Sequence, residues 1–525
     1  MIILIPILLL FLIPVAILAL NQTQVRIGYN WFLALGAAFL AWLLFLIARA
    51  QLPLTIELIN WEADGLVSVP FMLLLDETSW VYAVVVTALP LAVLLTDVVQ
   101  SSENDSRAWA SSLVITGLGL LAILAENPLT LLFAWATMDL SEMLILLRRV
   151  SDSESRERVI VAFSVRVAGI LLVLSAAMRA RFQGVYLSFE SFPPSIGWYL
   201  LLAAGLRLGV LPPHQAFFQE PPLRRGLGTI VRLVPVASSL VLLARVASVG
   251  VPQKWEPYLL VIAVIAVLYS SIAWARAENE LDGRPHWILG LATLSLVAAV
   301  RGLPEACIAW GLALIVSGAT LFLMSLHARQ SLVLGIAGLM SVSMLPFTPH
   351  WQAVAIYQSL NSVFVVIFIL AHAFLLFGYL RYVFRKLLKV DDAAPWMLII
   401  YPLGLALLPL THWLAAFLGG GISLPYTSIY ALPWWGGILA LGLTAVLILI
   451  SRKKGIILPR AITVIRRGLS LQWLYRFLWR FYRTMSRLFS AISQILEGEG
   501  GVLWALLLLL LLISVMRQWG GERQP

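Results

Sequence analysis

The stretch GLRLGVLPPHQAFF, residues 205–218, sets an arginine, two prolines and a histidine inside an apolar run. In lipid each is unfavourable, because a charge must be paired or hydrated and a proline frees a backbone carbonyl that water does not reach. Arg207 and His214 are therefore candidates for an ion pathway. A second group lies upstream in NPLTLLFAWATMDLSEMLIL, where Asp139 and Glu142 are spaced to share roughly one face of a helix. Arg166 and Arg232, each within a further apolar run, are candidate ion-pair partners for these carboxylates. A carboxylate or an imidazole can take up and release a proton. An arginine, protonated up to a pKa above about 12, only holds its charge.

Two readings stay open for Asp139 and Glu142: proton-binding groups of a residual half-channel, or carboxylates held ionised in a structural pair with arginine. His214 has two as well, a proton carrier or a cap on carbonyls freed by Pro212 and Pro213. His350, between Pro349 and Trp351, reads as an interfacial residue near the outer surface. His286, His327, His372 and His412 show no partner in the sequence.

The elements that must position these residues are helices. Of 525 residues 61% are hydrophobic and only 12% charged, and mean hydropathy is +0.94. A soluble chain would be about a quarter charged. Apolar runs of about 20 residues, each enough to span a bilayer core, recur from end to end. The chain is predicted to be an all-α polytopic membrane protein with about 16 transmembrane helices. A β-barrel is excluded because its strands alternate in polarity. Met1–Leu20 lacks a basic flank and a small-residue cleavage site, so it reads as a first spanning helix rather than a signal peptide. Cys307 is the only cysteine, leaving no disulfide framework and no cysteine-based cluster. The histidines lack metal-ligand spacing, and no glycine-rich phosphate loop follows a strand. No catalytic site, metal or cofactor is expected within the chain. The net charge of +10 sits in short loops and one near-terminal helix, as in membrane proteins rather than nucleic-acid binders.

Breakers and charges divide the chain. Residues 1–100 hold three helices, with an outer hairpin expected in 51–77 from β-branched, alternating residues. Residues 108–250 hold helices 4–8, 256–380 helices 9–13, and 395–451 helices 14 and 15. Segment 463–495 is amphipathic, with Arg476, Arg480, Arg483 and Arg487 on one helical stripe. It is expected to lie in the membrane plane, stripe toward lipid headgroups or an acidic partner, and to run roughly 50 Å. Residues 501–517 form a last spanning helix. Basic residues concentrate in alternate loops (Arg148, Arg149, Arg224, Arg225, Arg381, Arg385, Arg452, Lys453), which predicts both termini on the outer side of a bacterial or archaeal cytoplasmic membrane.

Several stretches together resemble one family, the antiporter-like subunits of respiratory complex I (NADH:quinone oxidoreductase), Mrp antiporters and membrane-bound hydrogenases. LRLGVLPPHQAFF…LVLLAR is similar to the family's broken seventh helix and the helix after it. Arg207 stands at the lysine position, Pro212 and His214 keep the spacing, and Arg245 ends the next helix. FMLLLDETSWVYAVVV resembles the start of the third helix, Trp135 the anchor of the fifth, and SMLPFTPHWQAV the break in the twelfth. The in-plane helix and final apolar run resemble the lateral arm of longer members, which clamps neighbouring subunits; a plain interfacial anchor is the other reading. The resemblance implies two inverted five-helix repeats with broken helices 7 and 12.

At the family's proton-carrying positions the chain departs from the pattern. Ala136 stands at the helix 5 glutamate, Arg207 at the helix 7 lysine and Ala237 at the helix 8 lysine. Leu314 and Gly318 occupy the helix 11 positions, and Val354 the helix 12 position. The resemblance thus implies a proton- or sodium-translocating membrane subunit of a complex I-like assembly, with a degenerate channel and a partly structural role. Its partners would be other membrane subunits and lipids, with no nucleic acid. The alternatives are a purely structural assembly subunit, or a multi-spanning glycosyltransferase-type enzyme using Glu57, Glu62, Asp64 and Asp76 on the outer loop.

Overall fold

A computed structural model describes residues 2–22, 27–59, 70–100, 106–150, 152–214, 225–326, 329–360, 362–385, 395–419 and 434–454, and further on 480, 483–487, 490, 506, 509 and 510. The chain divides into two compact units, Met1–Ile462 and Thr463–Pro525.

In the first unit the apolar runs become helices because only internal hydrogen bonds satisfy the backbone in lipid. They are α1 (Leu4–Gln22), α2 (Ile27–Ala48), α3 (Glu77–Asp97), α4 (Ser106–Ile123), α5 (Pro128–Leu147), α6 (Ser153–Phe182), α7 (Pro194–Arg207), α8 (Arg225–Val249) and α9 (Glu256–Arg276). Then follow α10 (Glu280–Val300), α11 (Pro304–Leu323), α12 (Arg329–Met340), α13 (Ala355–Ser359), α14 (Ser362–Val383), α15 (Met397–Leu418) and α16 (Trp435–Lys454). Among the described residues eleven helices are long and apolar enough to cross a membrane. The chain is a multi-pass membrane protein. α3, α8 and α11 make its centre, their apolar windows 89%, 100% and 94% buried, whereas α1 and α6 bury 28%.

Local chemistry fixes the helix starts. α5 begins at Asn127, whose side chain accepts the Thr130 N–H at 2.9 Å, with Pro128 in the first turn. Asp76 and Ser79 close a reciprocal capping box on α3. The expected hairpin is present: β1 (Leu54–Ile59) pairs antiparallel with β2 (Phe71–Leu75), Leu54 opposite Leu75. Glu62 and Asp64 lie outside the described residues.

Two interruptions matter for the site. The first comes earlier than the prolines suggest. α7 ends at Arg207, and Gly209 takes φ +77°, a left-handed conformation that a side chain would strain. The N–H groups of Val210 and Leu211 both return to the Gly205 carbonyl, at 2.8 and 3.1 Å. The helix therefore stops eleven residues before the end of the apolar run 205–218; 215–224 lie outside the described residues.

The second interruption follows α12. Residues 341–350 are irregular, and Met344 and Phe347 hold φ of +54° and +65°. Bulky residues adopt this region only where the surroundings impose it. A 3-10 turn, Trp351–Val354, leads into α13, which stops at extended Leu360 (φ −106°, ψ 154°). Segment 354–380 is thus two helices, α13 and α14, and the stop falls in a short polar stretch, with Gln358 and Ser359 before Leu360 and Asn361 and Ser362 after it.

In the second unit residues 480, 483–487 and 490 are helical, and Arg480, Arg483 and Arg487 are exposed. Arg476 and most of 463–495 lie outside the described residues, as does 501–517 apart from helical 506, 509 and 510.

Candidate functional site

α5, α6, α7 and α8 bring five of the sequence-selected residues together. Asp139 and Glu142 project from the buried face of α5, at 1% and 2% exposure, and Arg166, Arg207 and Arg232 approach from the other three helices, all buried. Arg207 grips Asp139 with both terminal nitrogens: Nη2 donates to Oδ1 at 2.8 Å and Nη1 to Oδ2. Arg166 donates to Glu142 Oε2 and stands 3.5 Å from Asp139 Oδ1. Arg232 lies 3.9 Å from Glu142 Oε1. Three arginines thus converge on two carboxylates inside a low-dielectric bundle, where a charge needs a partner.

The surrounding residues hold Arg207 in place. Its guanidinium carbon sits 4.0 Å from the Trp135 ring centroid, a cation–π contact sheltered from water. Trp135 is itself fixed by donating to Ser238 Oγ at 2.9 Å across to α8. Gly169 on α6 makes room for the arginine stem: a Cβ there would lie 2.8 Å from Arg207 Cγ. The helix 5 tryptophan and the helix 7 basic residue are thus stacked on each other.

His214 is buried, its Nδ1 2.8 Å from the Pro212 carbonyl and its backbone N–H bonded to Gly209 O. Among the described residues no hydrogen bond or ion pair joins it to the arginine–carboxylate cluster. Its ring thus faces a carbonyl within the break itself.

At the helix 11 positions a wall of aromatic rings fills the space. Trp287 donates to the Leu314 carbonyl at 3.1 Å, and a Cβ on Gly318 would meet its Nε1 at 2.7 Å. Trp274, Tyr379, Tyr382 and Phe322 continue the packing, with ring centroids 4.7–6.5 Å apart. Ala237 and Val354 are fully buried.

Sequence reasoning missed two other groupings. Glu280, at the start of α10, is clamped between Arg225 and Arg385, which also donate to the carbonyls of Phe322 (3.2 Å) and Met324 (2.5 Å). Arg245 reaches Asp76 at 3.2 Å, tying the end of α8 to the cap of α3. Asp76 therefore belongs to a helix junction rather than to an open acidic site.

The histidines also need correction. His350 is not interfacial but fully buried, and His372 on α14 and His412 on α15 are fully buried beside it. His350 and His372 both set their edges against Trp310 of α11, at 4.4 and 5.2 Å between ring centroids, and lie 6.5 Å from each other. These three residues come from positions 22 to 62 apart in sequence, and no local spacing connects them.

No sequence-family model matches the chain, and no curated protein sequence does. Solved structures share its fold. A chain of the Mrp complex from Dietzia sp. DQ12-45-1b superposes at a TM-score of 0.71 with 14% identity, covering all of this chain; this chain spans 63% of that one. A chain of the archaeal membrane-bound sulfane sulfur reductase, a respiratory membrane complex, gives 0.64 at 12% identity, covering 97% of this chain and 99% of its own. A chain of respiratory complex I from Thermus thermophilus, solved with bound NADH, gives 0.64 at 16% identity over 85% and 99%. The fold is that of these chains from multi-subunit membrane assemblies.

Proposed function

We propose that the chain is an antiporter-like membrane subunit of an ion-translocating assembly of the complex I or Mrp type, whose own channel is degenerate and whose role is partly structural. The observation that carries this reading is the two-point grip of Arg207 on Asp139 at the end of the broken helix α7. A lysine at this place could lose its proton when buried; a guanidinium clamped to a carboxylate cannot. The pair holds a fixed charge and anchors the interruption. Around Leu314 and Gly318, the packed Trp287 side chain stands where a relay would need an ionisable group and water.

In this reading α4–α8 and α9–α14, with α12 and α13 as the two parts of one broken helix, are inverted repeats. Both termini lie on the outer side of a bacterial or archaeal cytoplasmic membrane, and segment 463–495 contacts neighbouring subunits or lipid. The chain holds no cofactor of its own, and the redox chemistry of the assembly resides in its partners. The fold and the charge cluster support this reading over a membrane glycosyltransferase, because Asp76 is spent on Arg245 and the α3 cap.

The test is the assembly purified with its native partners and reconstituted in vesicles, with Asp139→Asn and Arg207→Lys variants compared at equal subunit content. The expected result is a reduced yield of intact assembly with proton or sodium uptake per assembled complex within about twofold of the parent. A loss of uptake by tenfold or more in fully assembled Asp139→Asn complex would overturn the structural role and make Asp139 a working ion-binding group.

A further inference from the structure

The second break holds a group of polar atoms that nothing described so far employs. His350, His372 and His412 come from the irregular segment after α12, from α14 and from α15, and all three side chains are fully buried. One ring nitrogen of the three has a protein partner: His372 Nε2, 2.9 Å from the Val342 carbonyl. Both nitrogens of His412 and Nδ1 of His372 have none, and those of His350, whose ring also lies toward the Val342 carbonyl, make no bond of good geometry. The Trp310 indole nitrogen and the hydroxyls of Thr411, Tyr357 and Ser341 are unpartnered too. Every neutral imidazole carries one donor and one acceptor, and buried polar groups in native proteins find partners in protein or in ordered water. Unmade hydrogen bonds on buried rings and hydroxyls of this kind point to water as their partner.

The spacing suits water. Two hydrogen bonds of about 2.8 Å meeting at one water span about 4.5 Å. Rings with centroids 6.5 Å apart, as His350 and His372 are, are too distant for a direct bond and can present nitrogens at that separation. The backbone points the same way. Met344 and Phe347, on the segment that delivers His350, both sit at positive φ. Such conformations in bulky residues collect at functional sites, where the surroundings impose them.

We propose that His350, His372 and His412 form a hydrated proton-binding site at the second break, in which three imidazoles and the water between them hold one proton. The ligand is the hydrated proton itself. It adds to a ring-nitrogen lone pair, and the resulting single positive charge is stabilised by the neighbouring imidazole acceptors and by the water between them. His350 interacts electrostatically with both His372 and His412, so a charge on one ring is felt by the other two and water between them must solvate it. The other titratable groups on the packed elements are weak acids: Tyr357 on α13, and Tyr82 and Cys307 along α3 and α11, all buried. A second proton is disfavoured by the first, so the three rings titrate as one unit.

The site is separate from the arginine–carboxylate cluster and does not coincide with Leu314, Gly318 or Val354. It stands whether or not ions cross the subunit. The test uses the full-length chain carrying 15N-labelled histidine, embedded in phosphatidylcholine bilayers. Solid-state 15N spectra are recorded with magnetisation transfer from water, at pH values from 8 to 5. Single His350→Gln, His372→Gln and His412→Gln variants assign the three signals. Expected are water transfer to all three rings and an imidazolium signal equivalent to one proton, with removal of one ring moving the midpoint of the others by about one pH unit. The proposal is overturned if the rings receive no magnetisation from water and stay neutral throughout. It is equally overturned if all three titrate independently of one another. Should one variant fail to fold, the other two assign its signal by difference and the wild-type titration decides.

Discussion

Arg207 on α7 holds Asp139 on α5 through both guanidinium nitrogens while lying 4.0 Å above Trp135 of the same α5. A bidentate bond and a cation–π stack fix one side chain from two directions, and both partners come from a single helix. The end of α7 is thereby locked to α5 at the point where its backbone ladder stops.

Removing one member of that pair should be costly. Asp139→Leu leaves Arg207 with an uncompensated buried charge while Arg166 keeps Glu142, a loss of about 3–5 kcal/mol. Replacing both partners, as Asp139→Leu with Arg207→Met, should recover much of it, since an apolar pair of similar volume needs no compensation. Thermal unfolding in detergent, followed by tryptophan fluorescence, checks the order: the double variant melts above the single one.

Gly169 is the second lever on the same arginine. A methyl group there would approach Arg207 Cγ to 2.8 Å and the Ala203 carbonyl to 3.4 Å, so Gly169→Ala must move the arginine stem or part α6 from α7. Overpacking of this kind costs typically about 1–3 kcal/mol. The expected outcome is a lowered unfolding midpoint with intact helix content by circular dichroism. An unchanged midpoint would show that the arginine has another place to go.

Reinstating an ionisable group on α11 should fail sterically. In Gly318→His the new side chain meets Trp287 Nε1 at 2.7 Å from its first carbon. The variant should be destabilised by about 1–3 kcal/mol or more, and Trp287→Ala in the same chain should relieve part of that loss. Denaturant midpoints of the two single variants and the double variant, read as a cycle, measure the coupling.

Asp152 gives a pH dependence of known sign. It caps α6 from the loop outside the span, and hydrogen bonds from the Ser155 side chain and backbone hold its carboxyl below the ordinary carboxylate value. A depressed carboxyl favours the folded cap above its unfolded pKa of about 3.9, and the benefit disappears as pH falls through the lower folded value. Amide exchange at Ser155 should therefore quicken relative to mid-helix amides as pH drops below about 4. In Asp152→Ala it should already be quick at neutral pH.

The sequence determined the helical class, the hairpin after the second helix, and the selection of Asp139, Glu142, Arg166, Arg207 and Arg232 as the charged residues to watch. These were legible for one physical reason. Charges are so scarce in apolar runs that each one must find a partner, and side chains on the same or adjacent helices have few to choose from. The place where α7 stops was not legible, because Gly209 rather than Pro212 turns the chain, and a positive φ leaves no trace in hydropathy. The division between α13 and α14 did leave a trace, in Gln358, Ser359, Asn361 and Ser362 around Leu360, but a window of helix length averages so short a polar stretch into its apolar flanks.

The histidines show the limit most clearly. His350, His372 and His412 look alike in sequence to His286, and nothing local separates them. That His350 and His372 meet on Trp310, with His412 buried on α15, is a matter of which helix faces meet, set by packing among α11, α14, α15 and the strained turn at Met344 and Phe347. Hydrophobicity decides that these segments enter the membrane; only the tertiary arrangement decides which polar atoms meet there without partners.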